Sequence, residues 1–193
     1  TIPDMYKIYF DNKPLFLTDR ISAEIEPFYH HDDTVLIDEL SSPAIHSILH
    51  EMHQPKIHAG IFLHPDVEEL RKAIWKKFTV LRAAGTLTVS EKENVLFIYR
   101  RGKWDLPKGK CEEGEEIDAC AVRETMEETG LSSIHLNKHL LNTYHTYTES
   151  GKAILKETFW YLCSAKEENN LTPQEEEQIT KIVWASGTEI QKL

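Results

Sequence analysis

The chain has 193 residues, 40 % hydrophobic and 28 % charged, which is globular composition with length for one large domain or two small ones, and excludes wholesale disorder. Lys and Arg number 22 against 32 Asp and Glu, a formal net charge of −10 that argues against a general nucleic-acid binder or a protein held on an anionic membrane. Three cysteines without paired spacing suggest neither a disulfide framework nor a zinc knuckle, and no apolar run approaches the roughly 18 residues of a membrane helix, so a cytoplasmic setting is expected.

Residues 1–4 stand ahead of Met5 and leave open where the natural start lies. Alternating apolar residues predict a hairpin, 6–10 and 14–18, about Asp11-Asn12-Lys13. A short strand follows at 34–38. Ser42-Pro43 opens a helix with Pro in its first turn, and Ile45, Ile48, Leu49 and Met52 recur at helical spacing. A strand at 56–63 and a helix from Pro65, with Val67, Leu70 and Ile74 as its stripe, complete a small α+β unit at 1–76. From about Phe78 strands dominate, at 79–90 and 95–100 around a turn at 91–94. A loop bearing Pro107, Gly109 and Gly114 leads into a helix at 115–129 that Gly130 stops. A long strand region to Thr148, a turn at 149–151, a strand at 153–163, a polar stretch at 169–178 and a last strand at 179–185 follow, and 188–193 begin a closing helix.

Charge is concentrated. Residues 112–128 carry eight acidic side chains and one basic, Arg123, directly after Arg100, Arg101, Lys103, Lys108 and Lys110. Such a junction suits a place where phosphates and divalent cations meet, and two solvated stretches of opposite sign are the plainer alternative. Strand alternation sends Arg100 and Arg101 to opposite faces, so only part of the basic group converges. Helical spacing puts Glu124, Glu127 and Glu128 together within a turn. Ile117, Cys120 and Ala121 continue that side, while Ala119, Val122 and Met126 make the other side apolar too, so spacing leaves the buried side open. Hard oxygen ligands in that number suit Mg²⁺ or Mn²⁺. His46, His50 and His53 stand at a helical spacing zinc could use, on what otherwise reads as a solvated face and, in a third reading, as a metal-sensing module.

Gly109, Glu115, Arg123-Glu124, Glu127-Glu128 and Gly130-Leu131 occur at the spacing of the Nudix box, and this stretch resembles it with every charged and glycine position filled. Thr125 departs from the pattern, standing where the family prefers a bulky aliphatic. Ala83-Ala84-Gly85, Trp104-Asp105-Leu106-Pro107-Lys108-Gly109-Lys110 and Trp184 extend the resemblance to about 78–193. It implies an α/β fold, a Nudix-type α/β/α sandwich with a mixed sheet at 77–193, preceded by the small α+β unit. It further implies a Mg²⁺-dependent (or Mn²⁺-dependent) pyrophosphohydrolase acting on a small-molecule phosphoanhydride, and the acidic net charge leads us to expect no nucleic-acid or membrane partner. Glu124, Glu127 and Glu128 would ligate the ions with the backbone carbonyl of Lys108, Arg123 would orient the glutamates, and Glu115 would support that network. Glu175, Glu176 and Glu177 are candidates for a general base outside the box. Lys103, Lys108, Lys110 and Arg100 are candidate phosphate ligands, and the Leu-Pro-Lys-Gly-Lys wording resembles the diadenosine-polyphosphate and diphosphoinositol-polyphosphate branches. His145 and Lys156, with Tyr144 and Tyr147, are candidates to line a substrate pocket. The N-terminal unit would restrict substrate access or mediate self-association as a homodimer. The rival reading is a non-catalytic Nudix module that binds a nucleotide or metabolite and regulates a partner; such modules often lose box glutamates, and none is lost here.

Overall fold

The computed structural model describes residues 4–193, so residues 1–3 of the segment ahead of Met5 lie outside the described residues. Contacts divide the chain into two compact units, one running to Leu81 and including 143–156, the other comprising 82–142 and 157–193. The two long strands β9 (His135–Glu149) and β10 (Lys152–Ala165) contribute residues to both. No helix is long and apolar enough to cross a membrane.

In the first unit β1 (Met5–Phe10) and β2 (Lys13–Thr18) form the expected hairpin, with Tyr6 opposite Leu17 and Asp11 in the turn at φ 54°. Next come α1 (Glu26–Tyr29), β3 (Thr34–Ile37), α2 (Ser42–Met52), β4 (Ala59–Leu63) and α3 (Val67–Trp75). Strand order is β9-β1-β2-β4-β3, antiparallel between β1 and β2 and parallel elsewhere. Residues 14–18 of β2 are all buried because both faces of the strand are covered. Leu15 and Leu17 pack among Ile45, Ile48, Met52, Leu70 and Ile74 of the two helices, whereas Phe16, pointing the other way, packs with Ile25, Ile61 and Phe28. Side chains cap both helices: Ser41 accepts from the Ala44 N–H at 3.2 Å and Asp66 from the Glu69 N–H at 2.8 Å. Tyr144 is a core residue that meets Tyr6 and Trp75 edge-on.

The second unit holds β5 (Thr79–Ser90) from Arg82 onward, β6 (Val95–Arg100), β7 (Lys103–Asp105), β8 (Lys108–Lys110), α4 (Ile117–Thr129), β11 (Ile179–Ala185) and α5 (Gly187–Ile190), with a 3-10 turn at Glu175–Glu177. Strand order is β11-β6-β5-β10-β9, with β7 paired to β6 and β8 to β5. The result is the expected mixed α/β architecture. Details of this unit differ from the sequence expectation: β7 is a strand that was not expected, and α4 begins at Ile117 and not at 115. Arg101 is not a strand residue: with Gly102 it forms a two-residue turn with both φ positive, 50° and 80°, the geometry that matches strand twist in a tight hairpin. Residues 108–110, expected as loop, pair with β5 so that Gly109 faces Ala84.

Helix α4 resolves which of its sides is buried. Cys120, Ala121, Thr125, Glu128 and Thr129 are inward and Ala119 is exposed. Thr125 sits opposite a hydroxyl partner: its Oγ1 donates to the Ala121 carbonyl at 2.8 Å and lies 2.9 Å from Thr86 Oγ1, which in turn meets Thr88 Oγ1 at 2.8 Å. The helix ends at Gly130, left-handed at φ 72°, where an added Cβ would stand 2.9 Å from the Thr172 backbone nitrogen. Gly130→Ala is therefore expected to destabilise the protein by about 1–2 kcal/mol, the cost of a side chain in that region. The urea midpoint reports it, and an unchanged midpoint would show that the helix end tolerates another conformation.

Candidate active site

Arg123, in the middle of α4, gathers the acidic residues around it. Its Nε donates to Glu115 Oε1 at 2.7 Å and its Nη2 to Glu115 Oε2 at 2.9 Å, a bidentate fork. Nη1 stands 2.9 Å from both Glu124 Oε1 and Glu127 Oε2, and Nη2 also donates to the Lys110 carbonyl at 3.2 Å. The fork from Arg123, with the Glu112 N–H, holds the Glu115 carboxyl down at about 2. Glu124 lies deeper, and burial pushes its carboxyl up against the pull of Arg123. Glu127 is on the outer edge, its side chain 48 % exposed.

Glu128 is the buried member, 1 % exposed. Its Oε2 accepts the Lys108 backbone N–H at 2.9 Å and its Oε1 stands 3.7 Å from Arg100 Nη1. Burial raises its carboxyl to about 7, with the Lys108 N–H and Arg100 opposing the rise. Arg100 is itself engaged, its Nε donating to the Glu177 carbonyl at 2.9 Å and its Nη2 to the Glu177 carboxylate. The loop carrying Glu177 docks on the end of α4 through Thr172 N–H to Thr129 O at 3.0 Å and Gln174 N–H to Glu128 O at 3.4 Å. Gly109 makes the close approach possible: a Cβ there would fall 1.9 Å from Glu124 Oε2.

These residues fit a hard divalent cation. Glu124 and Glu128, one turn apart, bring carboxylate oxygens to the main chain of β8, and among the described residues the Arg100 guanidinium at 3.7 Å is the cationic side chain paired with Glu128, with the Lys108 charge also acting on it. Among the basic residues expected to contact substrate, Lys103 and Lys110 are exposed, whereas the Lys108 ammonium is paired with Asp105. Arg100 stands inside the carboxylate cluster. His145, stacked on Tyr9 with ring centroids 5.4 Å apart, and Lys156 belong to the first unit. The histidines of α2 do not converge: His50 bonds Gln54, His53 packs edge-on against Phe10, and no metal-binding group among the described residues includes them. Sequence reasoning missed the Arg100–Glu128–Glu177 chain, because spacing identifies a cation without its distant partners, and it missed Asp105 as the partner of Lys108.

A family model described as the NUDIX domain matches residues 79–193. The curated relatives include YvcI, an uncharacterized Nudix hydrolase of Bacillus subtilis, 29 % identical over 119 residues that cover 60 % of this chain and 72 % of the relative. An 8-oxo-(d)GTP phosphatase of Mycolicibacterium smegmatis is 31 % identical over 85 residues, 44 % of this chain and 24 % of that protein, so the match spans about a quarter of its length. A solved Caenorhabditis elegans Ap4A hydrolase superposes with a TM-score of 0.45 at 19 % identity, over 58 % of this chain and 84 % of that one.

The burial of Glu128 makes ion-free stability depend on pH. A carboxyl raised in the folded state to about 7 holds its proton more tightly there than in the unfolded chain, so its contribution is complete below the ordinary value of 4.5 and is lost as pH rises through about 7. In chelator, the wild-type urea midpoint should fall between about pH 5 and pH 8 relative to that of Glu128→Gln, and Mg²⁺ should restore it. Parallel profiles for the two proteins would show that Glu128 is not ionised at a cost in the folded state.

Proposed function

The chain belongs to the Nudix family, and from that premise we propose that it is a divalent-metal-dependent pyrophosphohydrolase cleaving a diphosphate linkage in a nucleoside- or polyol-linked polyphosphate. The observation that supports this reading most is the buried Glu128 carboxylate, one turn from Glu124 and joined by a single guanidinium, in a box whose other charged positions are all engaged around Arg123. The intact set favours hydrolysis over the binding-only alternative, because binding-only modules often lose box glutamates and none is lost here.

Glu124, Glu127, Glu128 and the Lys108 carbonyl would hold the ion, which when bound polarises a phosphoryl oxygen and lowers the pKa of an attacking water. Arg123 fixes Glu115, Glu124 and Glu127 in one arrangement. Arg100 ties Glu128 to the turn at Glu175–Glu177 and spends the Glu177 carboxylate in doing so. Glu175 and Glu176, exposed in the same turn, are then the candidates outside the box, beside the box glutamates themselves, to accept a proton from water. With Lys108 paired to Asp105, phosphate contacts fall to Lys103 and Lys110. Two exposed ammonium groups suit a long anionic chain, so diadenosine polyphosphates and diphosphoinositol polyphosphates lead the candidates. The mycolicibacterial relative's name adds 8-oxo-(d)GTP to the panel.

The test is a Mg²⁺-supplemented hydrolysis screen across these compounds, ADP-ribose and nucleotide sugars, run beside Glu128→Gln. Turnover should fall at least ~100-fold in the variant with the fold retained, as when a metal-positioning group is lost. Tight binding without turnover by the wild type, or near wild-type turnover by the variant at limiting Mg²⁺, would support the binding module instead. Chain-length selectivity supplies a second measurement. A lost charge-assisted contact is worth roughly 1.5–3 kcal/mol, or about 10- to 150-fold in kcat/KM. Lys103→Ala and Lys110→Ala should lose that much on dinucleoside tetraphosphate and much less on ADP-ribose; equal small losses on both would leave these lysines as solvated surface.

A further inference from the structure

Beside the carboxylate cluster, a thiol, a carboxylate and a second thiol converge. The ligand atoms of Cys111, Glu115 and Cys120 all lie within 4.8 Å of one another, the one such group of three among the described residues. Nine positions separate the cysteines in sequence, which is why spacing suggested no site. The fold brings them together: the Cys111 N–H, just past β8, donates to the Arg82 carbonyl at 3.0 Å, and Cys120 is buried on the inward side of α4 beside Ala84. The Cys120 thiol donates to the Gly109 carbonyl at 3.9 Å, and Arg123 Nη2 approaches its sulfur at 4.0 Å.

We propose that Cys111, Glu115 and Cys120 form a three-ligand site for a borderline-soft divalent ion of the zinc class, separate from the hard-ion glutamates of the same helix. Ligand atoms around a tetrahedral zinc, with bonds of roughly 2.0–2.3 Å, stand roughly 3.5–4 Å apart, so the observed spacing needs small side-chain adjustments only. Two thiolates and one carboxylate carry −3 and the ion supplies +2, which leaves −1 beside the guanidinium of Arg123, a cation that also serves Glu124 and Glu127. Both S–H bonds break, two S–metal bonds form, and the two protons pass to solvent, so the ion must repay thiols that burial keeps protonated. Cys111 is half-buried and gives the ion a way in, with water completing the tetrahedron. Thiolate ligands select against Mg²⁺, which keeps the two sites chemically distinct. Because Glu115 also holds Arg123 through its fork, an ion here competes directly with the group that orients the box glutamates.

The experiment uses the full chain, reduced and freed of metal, with Co²⁺ as the probe. Binding should produce a thiolate-to-cobalt charge-transfer band and tetrahedral visible bands, displaced by equimolar Zn²⁺ and indifferent to Mg²⁺. Cys111→Ser, which leaves Cys120 as the one thiolate, should lose about half of the charge-transfer intensity and bind Zn²⁺ about 100-fold more weakly, in the range expected when a metal site loses a group that holds the ion. In the wild type, Zn²⁺ should also slow alkylation of Cys111 by at least about 10-fold, a readout independent of whether the variant folds. Cobalt binding without a charge-transfer band, an unchanged band in Cys111→Ser, or an alkylation rate indifferent to Zn²⁺ would overturn the site.

Discussion

A carboxylate that is 1 % exposed has to be met by positive charge and hydrogen bonds or give up its own charge, and the second unit is organised around meeting Glu128. Among the described residues the Lys108 N–H and the Arg100 guanidinium approach it, and the Lys108 charge adds to them. Neither is loose. The pairing of β8 with β5 fixes the main chain of Lys108, and Glu177 fixes Arg100 through its carbonyl and its carboxylate. Glu177 in turn belongs to a loop that hydrogen-bonds the last carbonyls of α4, including that of Glu128 itself. The last turn of the helix thus supplies the buried acid and anchors the loop that steadies its counter-charge. What these contacts leave uncompensated is a negative charge of the kind that would attract a hard divalent ion.

Arg123 solves a different problem, that of several like charges on one helix. Its fork to Glu115 joins partners with side chains 27 % and 15 % exposed, where geometry is fixed and screening is partial. Its contact with Glu127, 48 % exposed, lies where ion pairs contribute little to stability. The first contact sets where the guanidinium stands and the second follows from it. One cation facing three carboxylates still leaves the cluster acidic, which distinguishes it from a salt-bridge network built for stability alone.

Local rules read much of this from the sequence. The first hairpin, the apolar stripes of α2 and α3, and the glycine stop of α4 all depend on residues close in the chain and appear where periodicity placed them, although α3 begins at Val67 after an Asp66 cap and not at Pro65. Elements that exist because of distant partners were not legible. β7 and β8 have three residues each and are strands only because β6 and β5 pair with them, and α1 has four residues, too few to show a period. The same division runs through the site. The box spacing marks the acidic residues, but at about 100° per residue Glu127 and Glu128 cannot both face inward, and only packing decides that Glu128 is buried, Glu124 partly buried and Glu127 exposed. Arg100 reads as a free cation until the fold brings Glu177 to it.

Thr125 shows how a departure from a family pattern can be consistent with its surroundings. A bulky aliphatic at this place would fill space against β5, whereas a buried hydroxyl without a partner would cost about 1–3 kcal/mol. Here the opposing strand carries Thr86 and Thr88, both fully buried, whose hydroxyls need partners of their own. Thr125 donates to the carbonyl one turn back and meets Thr86, and Thr86 meets Thr88, so one polar position on the helix is matched by two on the strand. An aliphatic at 125 would take from Thr86 its partner on the helix. The helix and β5 are therefore matched as a set under the glutamates, and the substitution that looks weakest in a one-position comparison belongs to a buried hydrogen-bonded layer that sets how closely α4 can approach the sheet.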